Sequence, residues 1–211
     1  MLETLRFAFS IFGEAFQKRD LRSLFHQHVF YQRVAVPIVI DLDALPFSKE
    51  PFDGAPYRCI ELERQAILIS EQVFFKRTRR FDALRHLKQG LRGFGLRDET
   101  GLLVGDMWCA FPGSRVARDD LGMLGLSCEP DSAYALDMFI APEYRGQKLA
   151  VPLHQSVQLT LKRAGWRKLY AYYWEDNRAS RWMHWMLKCT ELPKRRVSRF
   201  FWLKITHAEK E

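Results

Sequence analysis

Residues Ser132 to Leu161 read SAYALDMFIAPEYRGQKLAVPLHQSVQLTL. From Tyr134 to Ile140 every residue except Asp137 is apolar or aromatic, and Ala141-Pro142 ends the run, which predicts a strand stopped by proline. Leu149, Leu153, Val157 and Leu161 then recur at a spacing of four, marking one face of a helix. Between the two lies Arg145-Gly146-Gln147-Lys148-Leu149-Ala150, a tight turn. A strand-to-helix turn aims several backbone N–H groups at one point, and the helix dipole adds positive potential there. That is an anion site, and a phosphate is its usual occupant.

The order strand, Pro-Glu-Tyr-Arg-Gly, helix resembles motif A of the GNAT superfamily of acyl-CoA N-acyltransferases. In that family the turn reads Arg/Gln-x-x-Gly-x-Gly/Ala, and its amides hold the coenzyme A pyrophosphate. Arg145 matches the first position and Ala150 the last, while Lys148 stands in place of the central glycine. If that position needs a positive φ, lysine is strained there, although its charge suits a pyrophosphate. Leu91 to Phe111 reads as a β-hairpin around Asp98-Glu99-Thr100-Gly101 and resembles the hairpin before the family's coenzyme strand. Trp166 to Trp174 is a strongly aromatic strand, and the helix after it resembles motif B, Asn-x-x-Ala-x-x-x-Tyr-x-x-x-Gly-Phe. Asn177 matches, Ser180 takes the alanine place, His184 the tyrosine place, and Lys188-Cys189 replace Gly-Phe. The resemblance covers residues 57 to 206. It implies an α/β fold, a GNAT-like mixed, mostly antiparallel central sheet flanked by helices, with a helical N-terminal extension.

It also implies a site. Acyl-CoA would be held by the strand backbone at Met138, Phe139 and Ile140, by Arg145, Gly146, Gln147, Lys148, Leu149 and Ala150 in the turn, and by Asn177. His184 falls where a family tyrosine protonates the departing sulfur, and imidazole with an ordinary pKa of about 6.5 exchanges protons at neutral pH. Its other reading is a packing histidine in a Trp-rich helix. Asp137, an acid inside an apolar strand, is the candidate general base, because a buried carboxylate has a raised pKa. Otherwise it caps a neighbouring element or pairs with a lysine. Glu175, Asp176 and Glu63 are its rivals.

The 211 residues suffice for one domain with an extension, divided here as 1–56 and 57–211 at the proline-rich stretch 43–57. A net charge of +8 implies an anionic partner. Cys59, Cys109, Cys128 and Cys189 are far apart and form no metal-ligand or disulfide pattern, so a cytoplasmic location is the expectation. Val34 to Ile40 is too short an apolar run to span a bilayer, and Glu3, Arg6 and Glu14 argue against a signal peptide. Leu2, Leu5, Phe9, Phe12 and Phe16 predict an aromatic helical stripe over residues 1–30 that packs on the domain or on another copy, or lies on the inner membrane as a peripheral contact.

Val29 to Leu42 predicts a strand, at an edge or bulged because of Pro37. Arg58 to Gln89 predicts helix with one or two breaks, and the basic residues from Lys76 to Arg97 suit an acidic carrier, a phosphate or a solvated face. Residues 112–131 read as a loop at a substrate entrance, and Arg195 to Thr206 as a closing strand.

The resemblance implies transfer of an acyl group, acetyl foremost, from acyl-CoA to a primary amine by direct attack in a ternary complex. The amine belongs to a small-molecule or lipid-linked acceptor. Two alternatives keep the fold: an enzyme taking a longer chain from an acyl carrier protein, and a non-catalytic coenzyme-binding module. Nucleic acid is disfavoured because the basic residues are dispersed over several elements.

Overall fold

A computed structural model describes residues 30–46, 49–53, 55–74, 76–200 and 203–208. The helix predicted over residues 1–30, and the membrane contact assigned to it, lie outside these apart from Phe30. The β-branched run becomes β1 (Phe30–Asp41). After the proline-rich loop come β2 (Tyr57–Glu61) and the short helices α1 (Arg64–Ile69) and α2 (Glu71–Phe74). Helix α3 (Arg77–Lys88) leads to the expected hairpin of β3 (Arg92–Asp98) and β4 (Leu103–Ala110). Helix α4 (Arg115–Met123) precedes β5 (Ser132–Ile140), and a 3-10 helix, Pro142–Tyr144, with the turn after it connects β5 to α5 (Ala150–Arg163). The chain ends with β6 (Lys168–Trp174), α6 (Arg178–Met186), β7 (Thr190–Glu191), β8 (Arg195–Phe200) and β9 (Leu203–Ala208).

Three local expectations change. The start of the helical stretch after Arg58 is strand, because Tyr57 to Glu61 pairs antiparallel with Phe94 to Asp98. The polar segment 112–131 contains α4, whose Ala117 and Leu121 are buried; charged residues hid a short amphipathic helix. Finally, β1 is an interior strand despite Pro37. It pairs with β6 on one side, and with β8 and then β7 on the other. The Pro37 carbonyl accepts from the Leu192 amide, so the missing N–H faces the gap where pairing passes from β8 to β7. The ring therefore costs the sheet no ladder bond.

The sheet order is β2-β3-β4-β5-β6-β1-β8-β9, with β7 beside β1. All pairs are antiparallel except β5 with β6. Side chains alternate between two cores. One, with Val36, Ile38, Met107, Ala135 and Ala171, packs under Leu153, Val157 and Leu161 of α5. The other, with Trp108, Tyr134 and Tyr170, is covered by residues of α1 to α4, among them Ile67, Phe74, Ala83 and Leu121.

Strands β5 and β6 touch only at Ser132–Tyr134 against Lys168–Tyr170. On its other side β5 shifts register: Trp108 faces Asp137 and Cys109 faces Ala135, which leaves Leu136 as an extra residue. Such a bulge bends a strand and increases its twist. Beyond it, β5 stays with β4 and leaves β6, so a cleft opens in the middle of the sheet.

Candidate active site

The cleft holds a cavity of about 300 Å³ between Ala135–Met138 of β5 and Ala171–Trp174 of β6, closed at one end by Asn177, Met183 and His184. From the end of β5 a short 3-10 turn, Pro142–Tyr144, leads to the loop before α5. There Gly146 has φ 82° and Lys148 has φ 58°, so the backbone does require the left-handed region at the lysine. For a non-glycine residue that conformation costs about 1–2 kcal/mol. The Lys148 side chain is exposed, and a Cβ added at Gly146 would meet nothing within 4 Å, so the mouth of the turn is open. The amides of Gly146, Lys148 and Leu149 donate to no other described residue. The Arg145 side chain is fixed alongside, its Nε donating to the Ile140 carbonyl at 3.1 Å and its guanidinium 5.3 Å from the Phe139 ring centre. Tyr57 donates its hydroxyl hydrogen to Gln147 Oε1 at 2.9 Å, tying β2 to the turn. Leu149 points into the core, and Ala150 begins the helix. The open donors and two flanking cations suit a diphosphate.

His184 and Asp137 both line the cleft, on opposite faces of the sheet. His184 is 6 % exposed, stacks on Tyr173 at 5.4 Å and meets the edge of His154 at 5.9 Å. Burial pushes its pKa down to about 4, so at neutral pH the ring is uncharged. His154, on α5, is buried more deeply and pushed to about 3 by burial and then by His184; Gln158 Nε2 lies 3.0 Å from its Nδ1. Tyr173 is anchored by its hydroxyl to Glu191 at 2.7 Å.

Asp137 is not sequestered: its side chain is 43 % exposed, and Arg79 Nη1 donates to it at 2.9 Å. The partner is an arginine rather than the lysine envisaged. The other arm of Arg79 bonds to Asp106, which is fully buried and also accepts from Trp108 Nε1 at 2.7 Å. Burial pushes the Asp106 carboxyl up to about 6 against the pull of Arg79. The guanidinium lies 4.3 Å from the ring centre of Phe139. This places Phe139 on the arginine's face, whereas Met138 faces the cleft.

The rivals of Asp137 are committed elsewhere or lie apart. Glu175 pairs with Lys194 at 2.6 Å, Asp176 pairs with Arg33, and Glu63 precedes α1 outside the cleft. Asn177 caps α6, its Oδ1 accepting from the Ser180 amide at 3.2 Å, and so gives the cleft only what that bond leaves. Sequence reasoning missed His154, Arg79 and Asp106. Asp106 carries the signal that singled out Asp137, an acid within an apolar run, and the same reasoning could have found it.

No family profile matches this chain, and no curated protein matches it either. Solved structures do. A GCN5-related N-acetyltransferase from Sphaerobacter thermophilus superposes with a TM-score of 0.53 at 14 % identity, over 85 % of this chain and 55 % of that one. The GCN5-related glucosamine N-acetyltransferase region of a fungal multi-domain GH3 beta-N-acetylglucosaminidase gives 0.60 at 15 %, over 87 % and 23 %. The chain has the GNAT fold. A Drosophila protein superposes at 0.56 and 12 % identity, over 89 % of this chain and 57 % of its own. The chain thus spans little more than half the length of two of these structures and about a quarter of the third. In this fold the strands that part are β5 and β6, and the turn with the open amides leads from β5 into α5. Among the described residues no helix is long and apolar enough to cross a membrane.

Proposed function

We propose that this protein transfers an acyl group, acetyl foremost, from a coenzyme A thioester to a primary amine. The observation that carries the reading is one continuous feature: a cleft between parting parallel strands whose β5 wall ends in a turn of unclaimed amides. The turn, with Arg145 and Lys148, would take the diphosphate, and the cleft would take the thioester-bearing arm. Attack by a neutral amine forms the C–N bond as the C–S bond breaks; the nitrogen loses a proton and the sulfur gains one. Asp137, half-exposed and bound to Arg79 on the α3 face, would receive the amine's proton. His184 carries no stored proton at pH 7, so its contribution is an N–H hydrogen bond to the sulfur.

Calorimetric titration of the full chain with acetyl-CoA, followed by thiol release with a panel of primary amines, tests this. Binding weakened at least about tenfold by Arg145→Glu, and amine-dependent thiol release, are expected. Absence of both heat and thermal shift with acetyl-CoA and free coenzyme A removes the reading.

A second reading, with the acyl chain delivered by an acidic carrier protein, is favoured by one feature. Between α1 and α3 lies a groove of about 620 Å³, floored by Phe81, Leu84 and Leu87 and rimmed by Arg64, Arg85 and Lys88. A salt-sensitive pull-down with acyl carrier protein distinguishes the two donors.

A further inference from the structure

Helix α6 has two opposed faces. Met183 and His184 are buried towards the cleft, whereas Trp182, Trp185 and Met186 are 52 %, 73 % and 45 % exposed. These three lie at relative positions 0, 3 and 4 of one helix, so they form a single stripe facing away from the protein. Large apolar side chains this exposed, contiguous and aromatic mark an interaction surface. Exposed Arg178 and Arg181 lie on the same side, each four residues before a tryptophan, and exposed Lys188 follows just past the helix end. The nearest acids preceding the helix are already matched, Glu175 with Lys194 and Asp176 with Arg33. The face is therefore apolar at its centre and positive at its border.

We infer that the outer face of α6 docks this protein onto an anionic lipid bilayer. Tryptophan favours the boundary between headgroups and acyl chains, where its ring is apolar and its N–H stays wet. Flanking basic side chains reach the negative lipid headgroups. Area argues against a second copy as the occupant. Taking about 250 Å² for a fully exposed tryptophan and somewhat less for methionine, the stripe offers roughly 400 Å². A stable dimer buries about 800 Å² on each partner. Shallow insertion into a bilayer needs no such area. Because α6 carries His184 on its inner side, docking also brings the cleft close to the lipid surface.

The test uses the full chain with vesicles of phosphatidylcholine, alone or with a minor fraction of phosphatidylglycerol, and reads co-sedimentation and tryptophan emission. Wild type should sediment with the phosphatidylglycerol vesicles and shift its emission to the blue. Trp182→Ser/Trp185→Ser should lose about tenfold or more in partition while still melting as a cooperatively folded protein, since Trp185 is mostly exposed and Trp182 half-exposed. Arg178→Glu/Arg181→Glu should lose the preference for anionic vesicles and the sensitivity to salt. Residues 1–29 remain in every variant, so wild-type partition of the double tryptophan variant would overturn the inference. A wild-type dimer that the same variant converts to monomer, without vesicle binding, would also overturn it and assign the face to self-association.

Discussion

Three buried histidines make this fold sensitive to mild acid. His86, His154 and His184 are 8 %, 1 % and 6 % exposed, and burial lowers their pKa values to about 4, 3 and 4. In the unfolded chain each returns to about 6.5. Between the two values the unfolded state binds the extra proton, so stability falls as pH falls below 6.5. At pH 5 each histidine forfeits about 2 kcal/mol, and the three together about 6 kcal/mol. Asp106 opposes them. Its raised pKa means that the folded state takes up the proton first, which returns about 1 kcal/mol at pH 5. These four groups together lose about 5 kcal/mol from pH 8 to pH 5, comparable with the whole stability of many domains. Asp82, also raised by burial, opposes the histidines as well. Urea unfolding followed by tryptophan fluorescence at a series of pH values should show this decline. His154→Leu removes one titrating group, so its decline should be smaller by about 2 kcal/mol whatever its stability at pH 8. Parallel curves for wild type and His154→Leu from pH 8 to pH 5 would refute the reasoning.

Two further outcomes follow from packing. Asp106→Asn leaves the Arg79 guanidinium half-matched in an apolar setting, and chemical denaturation at pH 7 should show a loss of about 3 kcal/mol or more. Gly93→Ala puts a methyl group 2.8 Å from the Trp108 ring, which its bond to Asp106 holds in place. It should cost about 1–3 kcal/mol, whereas Gly122→Ala, with nothing within 4 Å on α4, should be neutral or stabilising by up to about 1 kcal/mol; thermal melts of both compare them.

Much of the fold was legible because its signals are local. The apolar run before Pro142, the spacing of four from Leu149 to Leu161 and the Gly101 hairpin each report their own backbone. The N-cap of α6 is equally local: Asn177 and Asp176 are both short acceptors just ahead of the helix, and Asn177 fills the place. The conditional reading of Lys148 also rested on local geometry, and the backbone there has φ 58°. The segment 57–61 was misread because a five-residue strand followed by helices has too few residues to display its period. The position of β1 was beyond local reading, since an interior place depends on where β6, β7 and β8 stop.

At the site the division is sharper. Residue types and their order placed His184 and Asp137 on the two elements that border the cleft, because a strand–turn–helix carries its spacing in the chain. Their chemistry came from neighbours remote in sequence. Arg79, 58 residues away, makes Asp137 an anchored, half-exposed partner of a cation, and burial against His154 and Tyr173 makes His184 a neutral ring. Proton affinity depends on solvent exclusion and on charges within a few ångströms, which only the folded chain brings together. The sequence alone determined which groups could act; the packed sheet decided which are charged, which are held, and which face of α6 was left outside.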